Sequence, residues 1–276
     1  MRIDPRAIID PDAKIADDVE VGPFSIVQAG VSIGAGTVVG AHVVMESGTL
    51  VGERCRIGHG AKLGGAPQDA SFEGGASYLS IGDDCDIREL AVIHRSAKTG
   101  GCTRIGAHNF IMSQSHVAHD CRIGDHVVVA SLTALAGHVV VEDWAVVGGV
   151  TGVHQFVRIG THSMVGGASR LIQDAPPYMR AAGNPAMVRG LNTIGLRRSG
   201  FTPKERKELK EVYRLLYRSH LNISQVLDTL REQPHSSTQV AHLVHFIEGS
   251  KRGLCSSPRT SSSQDTEREG EQWKKS

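Results

Sequence analysis

The chain has 276 residues and a net charge of +1, from 30 Lys and Arg against 29 Asp and Glu, which argues against nucleic-acid binding over its whole surface. Its five cysteines are scattered without a CxxC pair, which argues against a disulfide framework and favours a reducing compartment. The amino terminus lacks an apolar signal segment and no run of 18 apolar residues occurs, so we expect a cytoplasmic protein without a transmembrane segment.

An aliphatic residue recurs at every sixth position from Ile9 to Leu63, from Ile81 to Ile93 and from Ile105 to Leu171. A period of six fits neither an α-helix nor a simple strand, and it indicates a parallel β-helix of hexapeptides. Three hexapeptides make one triangular coil, so residues 18 apart stack at about 4.8 Å. Glycine often follows the aliphatic residue, and we expect it to permit the tight corner between strands.

The β-helix is predicted to fill residues 1–190, with two excursions that stay in phase with the repeat. They cover about residues 65–80, with three glycines, and about residues 95–104, with two. Loops that leave a rigid scaffold often carry binding residues, so we expect both excursions to contribute to a site.

Residues 191–255 have the pattern of a small helical domain. Thr202 is predicted to cap a helix that begins at Pro203. A second helix is expected from Asn222 or Ser224 through Leu230, and a third near residues 238–249. Residues 256–276 are rich in Ser, Glu and Lys, and are predicted to be a disordered tail.

The helical part is basic. Residues 189–252 hold twelve Lys or Arg and six Asp or Glu, a balance of +6. This surplus is either a solvated helical face or a docking surface for an acidic partner, and the charge count alone does not separate the two.

Stacking at 18-residue intervals brings several polar side chains together on one face of the coil. The hexapeptides that begin at Val117, Leu135 and Val153 stack on one another, with His116 at the corner leading in. The column so formed contains His119, Asp120, Gly137, His138, His154 and Gln155. By contrast, the sequence shows no evident companions for His42, His59, His108, His126 and His162.

Such a column suits two chemistries, besides a polar ladder whose members satisfy one another. A histidine oriented by a carboxylate can act as a general base near pH 7. Three histidines can bind zinc. The column by itself leaves the choice open.

Several motifs resemble the UDP-N-acetylglucosamine acyltransferases that begin lipid A synthesis. They are His116-Val117-Ala118-His119-Asp120-Cys121, Leu135-Ala136-Gly137-His138, Val153-His154-Gln155-Phe156, Ile93-His94-Arg95, Gln173-Asp174-Ala175-Pro176-Pro177-Tyr178 and Gly200-Phe201. The resemblance implies a left-handed coil and a homotrimer with sites between subunits. It also implies transfer of a 3-hydroxyacyl group from acyl carrier protein to the 3-hydroxyl of the sugar of a UDP-sugar. The phosphopantetheine thioester would be the donor, with no metal and no further cofactor.

The same resemblance implies roles for individual residues. His119 would be the general base, Asp120 would orient it, and the Gly137 N–H would stabilise the oxyanion. Gly167 would help to set acyl length. The residues expected to bind the sugar nucleotide or to hold the base are Asp69, His94, His116, His138, His154, Gln155, Asn192 and Arg198. Because His94 is expected on another face of the coil from His119, the resemblance predicts that it joins the site from a neighbouring subunit.

Three positions depart from the family pattern by losing charge, namely Ser71, Ile194 and Ser199. We therefore expect weak affinity for UDP-N-acetylglucosamine. The alternatives are an acyltransferase for a changed UDP-sugar such as a 3-amino sugar, a zinc-dependent hydratase of the same fold, and a non-enzymatic scaffold.

Overall fold

The computed structural model describes residues 2–232 and 237–258. Within them the chain forms very short strands at six-residue intervals, followed by helices. The strands in chain order are β1 Arg2–Ile3, β2 Ile8–Ile9, β3 Lys14–Ile15, β4 Glu20–Val21, β5 Ile26–Val27, β6 Ser32–Ile33, β7 Val38–Val39, β8 Val44–Met45, β9 Thr49–Val51, β10 Arg56–Ile57, β11 Lys62–Gly65, β12 Tyr78–Ile81, β13 Asp86–Ile87, β14 Val92–His94, β15 Cys102–Ile105, β16 Phe110–Ile111, β17 His116–Val117, β18 Arg122–Ile123, β19 Val128–Val129, β20 Ala134–Leu135, β21 Val140–Val141, β22 Val146–Val147, β23 Gly152–Val153, β24 Arg158–Ile159, β25 Met164–Val165, β26 Arg170–Leu171, β27 Met179–Ala182 and β28 Met187–Leu191.

Every third strand joins the same sheet, so three parallel sheets form the walls of a triangular coil. Sheet A has 11 strands from β1 to β28, sheet B has 9 from β2 to β26, and sheet C has 8 from β3 to β24. In the uninterrupted part the register is 18 residues, as in Val117 opposite Leu135. The final pair, β27 and β28, is antiparallel and closes sheet A.

The aliphatic residue of most hexapeptides points into the core, where Val117, Leu135 and Val153 are at most 3% exposed. Each such side chain contributes roughly 1.5–3 kcal/mol by leaving water. The narrow core explains why Val and Ile predominate at this position. The repeat seen in the sequence is therefore the repeat of the core.

The expected role of the glycines was wrong. A Cβ on Gly34 would lie 2.6 Å from the backbone carbon of Gly52 in the next coil, so glycine permits close stacking of coils. The corners instead use the fourth residue of the hexapeptide, which has a positive φ even where it is not glycine. Asp120 has a φ of 59° and His138 a φ of 61°. Both candidate site residues are thus presented from left-handed corner positions.

The histidines thought to lack companions have them. His108, His126, Trp144, His162 and Tyr178 stack in one column along the corner between sheets C and A, with successive ring centroids 3.9–6.2 Å apart. Likewise His42 stacks on Phe24, and His59 Nδ1 accepts a hydrogen bond from the Ala41 N–H. The 18-residue rule that gathered the His119 column applies equally to these residues.

Four helices follow the strands in the described residues: α1 Thr193–Arg198, α2 Pro203–Arg218, α3 Ile223–Glu232 and α4 Thr238–Glu248. The sequence missed α1, which is only six residues long. The predicted start of α2 is confirmed, since Thr202 and Glu205 form a reciprocal capping box. No helix in the described part of the chain is long and apolar enough to cross a membrane.

The tail expected to be disordered from residue 256 is bonded at its start. Ser256 accepts a hydrogen bond from Val188 N–H, and Pro258 accepts one from Arg218. The rest of the predicted tail, residues 259–276, lies outside the described residues.

The helical part packs on the last coils through contacts with Arg158, Asp174 and Glu142. The Arg158 guanidinium lies 4.0 Å from the Phe246 ring centroid and donates to the Phe246 carbonyl at 3.0 Å. Buried Asp174 accepts a hydrogen bond from Ser250 at 2.7 Å, and Glu142 lies 3.2 Å from His242. These contacts fix α4 against the end of the β-helix.

Candidate active site

The centre of the site is a histidine–carboxylate pair at the corner between sheets B and C. His119 and Asp120 follow β17, and His119 Nδ1 lies 2.9 Å from Asp120 Oδ2. His119 is only 9% exposed. An ionised Asp120 accepts the Nδ1 proton, which leaves His119 Nε2 with a lone pair for an incoming proton.

Asp120 is held by the second loop, which the sequence did not connect with it. Its Oδ1 accepts from Ser96 Oγ at 2.5 Å and its Oδ2 from Ala97 N–H at 3.1 Å, while its own N–H donates to Thr103 Oγ1. Burial pushes the pKa of Asp120 up, but the hydrogen bonds from Ser96, His119 and Ala97 outweigh it and the pKa is lowered overall. The carboxylate therefore stays ionised and fixed.

Gly137 lies against the face of this pair. A Cβ built on it would be 2.7 Å from both Cε1 and Nε2 of His119, so only glycine leaves the ring in place. No residue in the described ranges accepts a hydrogen bond from Gly137 N–H. At the same repeat position Ala107 N–H donates to Asp125. Gly137 thus offers a donor next to the His119 imidazole.

His138 packs against the His119–Asp120 pair. Its ring centroid lies 5.2 Å from that of His119, its Nε2 lies 3.9 Å from Asp120 Oδ2, and it stacks on Phe156. Burial lowers the pKa of His138, which keeps the ring neutral near pH 7. The neutral ring can then donate one hydrogen bond to a substrate and accept another from it.

The first loop brings a second carboxylate to His119. Asp69 Oδ2 lies 3.9 Å from His119 Nε2. Its Oδ1 accepts from Ser71 N–H at 2.9 Å and from the Ser71 hydroxyl at 2.7 Å, and these bonds lower the pKa of Asp69. Ser71, one of the three departures from the family pattern, therefore orients Asp69 in this chain.

His94 lies on the same face as His119, contrary to the expectation that it lies on another. Ile93 pairs with Val117 in sheet B, 24 residues on, because the second loop adds six residues to that coil. The His94 and His116 ring centroids are 5.1 Å apart, and His94 Nδ1–H donates to the Ala66 carbonyl at 2.6 Å. Burial lowers the pKa of both histidines. His94 thus joins the site within one subunit.

An open groove of about 550 Å³ runs from this corner along the outer face of sheet B. The predicted residues His154 and Gln155 lie on its edge, exposed and adjacent to Gly137. Gln68 and Arg170 also line it, although the sequence did not single them out as site residues. The full lining is Gln68, His116, Ala118, His119, Ala134, Ala136, Gly137, Gly152, Val153, His154, Gln155, Arg170, Leu171 and Ile172.

Three predicted residues do not join this cluster within one chain. The Asn192 side chain caps α1 through the Gly195 N–H and donates to the His162 carbonyl, and Arg198 is exposed at the end of α1. Gly167 is exposed at the corner between sheets A and B. Gly167 therefore belongs to another corner of the coil, whereas Asn192 and Arg198 belong to α1, beyond the last strand.

The set of possible metal ligands differs from the three histidines that the zinc alternative requires. In the described part of the chain, ligand atoms of His119, Asp120 and His138 lie within 4.8 Å of one another. The Asp120 oxygens already accept hydrogen bonds from Ser96, Ala97 and His119. This arrangement resembles an orienting carboxylate more than a free ligand.

Comparison with known proteins finds similarity over most of the chain. Residues 174–255 match the family described as Udp N-acetylglucosamine O-acyltransferase, domain 2, and residues 12–46 and 102–137 match the bacterial transferase hexapeptide family. The acyl-[acyl-carrier-protein]–UDP-N-acetylglucosamine O-acyltransferase of a Sulfurihydrogenibium species is 53% identical, over 92% of this chain and 94% of its own. The enzyme of the same name from Halorhodospira halophila is 42% identical, over 92% and 98%.

Solved structures agree as well. The UDP-N-acetylglucosamine acyltransferase of Francisella novicida superposes with a TM-score of 0.91 at 36% identity, covering 95% of this chain and 97% of its own. The fold class expected from the resemblance, a left-handed parallel β-helix followed by a small helical part, is thereby confirmed. Family models, relatives and structures all lead to one conclusion: the chain belongs to the acyl-[acyl-carrier-protein]–UDP-N-acetylglucosamine O-acyltransferase family.

Proposed function

We propose that this protein transfers a 3-hydroxyacyl group from acyl carrier protein to the 3-hydroxyl of UDP-N-acetylglucosamine. The observation that carries the proposal is the His119–Asp120 pair, with Nδ1 bonded to the carboxylate and the Gly137 N–H beside the ring. Base, orienting carboxylate and oxyanion donor are the groups that acyl transfer to a hydroxyl needs.

The reaction follows from these positions. His119 Nε2 takes the proton of the sugar hydroxyl as its oxygen attacks the thioester carbonyl. The Gly137 N–H donates to the oxyanion that forms, and Asp120 stabilises the imidazolium. As the carbon–sulfur bond breaks, His119 gives the proton to the departing thiolate, which leaves as the free phosphopantetheine thiol.

The remaining groups of the site are assigned to the acceptor. Asp69, held by Ser71, lies close enough to His119 to accept a hydrogen bond from a sugar hydroxyl. His138 and His116 carry ring nitrogens toward the same corner, with His154 and Gln155 along the groove. They would fix the sugar so that its 3-hydroxyl faces Nε2.

The function is tested by incubating the purified protein with UDP-N-acetylglucosamine and acyl carrier proteins of graded chain length. We expect an O-acylated sugar nucleotide, identified by mass spectrometry. A UDP-3-amino sugar in parallel separates O- from N-acylation. Metal analysis of the active fraction tests the zinc-dependent alternative, since activity that followed zinc content would favour a metal enzyme.

A homotrimer would complete the site. Leu90, Leu132 and Val150 lie at the corner between sheets A and B and are 52–62% exposed, with the exposed side chain of Gln114 between Leu90 and Leu132. Gly167 lies at the same corner. If this corner packs on a second copy of the chain, Gly167 reaches that copy's groove and, having no side chain, would leave room for a longer acyl chain. Asn192 and Arg198 would then reach the sugar nucleotide of a neighbouring subunit. The five cysteines of the chain are all free thiols, which suits a cytoplasmic enzyme.

Acyl carrier protein is proposed to dock on the basic face of α2. Arg206, Lys207 and Lys210 line a groove of about 600 Å³ with Arg189. We expect Lys204→Glu, Lys207→Glu and Lys210→Glu together to raise KM for acyl carrier protein about tenfold, because opposite charges steer the encounter. Added salt should weaken the wild type in the same direction.

The matched control is the same charge change on exposed strand residues of the β-helix, Lys14→Glu, Arg56→Glu and Arg104→Glu. It should leave KM unchanged. Equal effects of the two triple variants would show that net charge, rather than a docking face, governs the encounter.

Measuring the affinity for UDP-N-acetylglucosamine tests whether the uncharged residues Ser71, Ile194 and Ser199 weaken its binding. A charge-assisted hydrogen bond contributes roughly 1.5–3 kcal/mol, so we expect weak binding by the wild type. Ser71→Lys, Ile194→Glu and Ser199→Arg together should tighten it, as measured by calorimetry, and Ser71→Lys alone would also release Asp69. Micromolar affinity of the wild type would mean that other groups supply the lost contacts.

A further inference from the structure

The far end of the groove carries an arginine. Arg170 is the first residue of β26 and stands in register with His116 through Ala134 and Gly152 on the two strands between. Three strand spacings of about 4.8 Å separate the two ends, so the Arg170 backbone lies about 14 Å from that of His116. The groove therefore runs from the histidine pair to a cation.

The floor between them is empty of large side chains. Ala134 presents a methyl group, and a Cβ added to Gly152 would meet nothing within 4 Å. None of the groove-lining residues is acidic, and Arg170 is the single Lys or Arg among them. An elongated anion can thus lie along the floor without meeting bulk or negative charge.

The Arg170 guanidinium has no partner within the part of the chain that the structure describes. Among the described residues none forms a hydrogen bond, an ion pair or a ring contact with it, and the side chain is exposed. Arg158 and Arg95 are bonded, to the Phe246 and Gly64 carbonyls respectively, whereas Arg56 and Arg122 resemble Arg170 in having no side-chain partner among the described residues. The five donors of Arg170 remain available to a ligand.

The distance between the Arg170 guanidinium and the histidine end of the groove indicates which anion the arginine can bind. Five bonds join the 3-hydroxyl oxygen of a UDP-hexosamine to the nearer phosphorus and seven to the farther one. At an advance of about 1.25 Å per bond of an extended chain, the reach is roughly 6 to 9 Å. The arginine side chain spans about 6 Å, which places its guanidinium roughly 8 to 14 Å from the histidine end. A diphosphate falls at the near edge of this range.

We propose that Arg170 binds the diphosphate of the sugar nucleotide, which makes it a specificity residue for a nucleoside-diphosphate sugar. The inference rests on the proposed function, since it takes a UDP-sugar as the acceptor. Guanidinium and phosphate match through two parallel hydrogen bonds. A phosphate on the pantetheine arm of the donor is the other source of this chemistry, but it lies fourteen bonds from the thioester carbonyl, a reach of roughly 17 Å.

The test compares Arg170→Gln with Arg170→Lys and with Arg122→Gln. Arg122 is the matched control because it is also exposed, also begins a two-residue strand, and points out from sheet C. Calorimetric titration with UDP and with UDP-N-acetylglucosamine should show Kd raised roughly 10- to 100-fold by Arg170→Gln, with partial recovery in Arg170→Lys and no change in Arg122→Gln. In turnover, KM for the sugar nucleotide should rise while kcat and KM for acyl carrier protein stay the same.

Equal affinities of Arg170→Gln and Arg122→Gln for UDP would overturn the proposal. So would a rise in KM confined to acyl carrier protein, which would assign the cation to the pantetheine phosphate instead. Failure of the proposed function is distinct, because there the wild type itself would neither bind UDP-N-acetylglucosamine nor acylate it.

Discussion

His119→Ala is expected to lower kcat by roughly 10²–10⁴-fold, the usual contribution of a general base, while the protein stays folded. The fold should survive because the imidazole contacts Asp120, Asp69 and His138, whereas the neighbouring Val117 fills the core. The measurements are single-turnover acyl transfer and thermal unfolding.

His59→Ala is the matched control for this variant. His59 occupies the same third position of its hexapeptide as His119, and its ring accepts a hydrogen bond from Ala41 N–H, outside the groove. It should lose little activity. Full transfer by purified His119→Ala protein would falsify the assignment of the base.

Gly137→Ala should lower kcat by about 10²-fold with only a small loss of stability. The added methyl group would stand 2.7 Å from the His119 ring, so the ring must turn away from the hydroxyl that we propose it deprotonates. Displacement of a catalytic group by about 1 Å can cost this much. The measurement is kcat per folded molecule, together with the thermal unfolding midpoint.

Gly34→Ala provides the opposite case for comparison. Its methyl group would press on the backbone of Gly52, far from the groove, so the unfolding midpoint should fall while kcat per folded molecule stays unchanged. If Gly137→Ala behaved like Gly34→Ala, Gly137 would be a stacking residue only, and its place beside His119 would have no catalytic meaning.

The core and much of the site follow from counting along the sequence. Between Ile105 and Leu171 no residue interrupts the period, so an interval of 18 correctly placed His119, Gly137 and Gln155 in one column. Applied to the corner positions, the same interval also predicts that His126 stacks on Trp144, although the sequence interpretation gave His126 no companion.

Counting fails where loops enter the coil. The second loop adds six residues, which preserves the phase of the repeat but rotates the face, so His94 was placed on the wrong side. The bonds from Ser96 and Ala97 to Asp120 depend on irregular backbone that no period describes. Past residue 173 the repeat ends, and the assignments of Asn192 and Arg198 rested on resemblance alone.

The ring column at the corner between sheets C and A gives the molecule a fluorescent reporter of its own. Trp144 is one of two tryptophans in the sequence, and it lies between His126, 3.9 Å away, and His162, 5.8 Å away. A cation on the indole face alters emission. The column continues through Tyr178 to Phe201, at the entrance to α2. We therefore expect Trp144 emission to respond to how the helices pack on the last coils, at a corner other than that of His119.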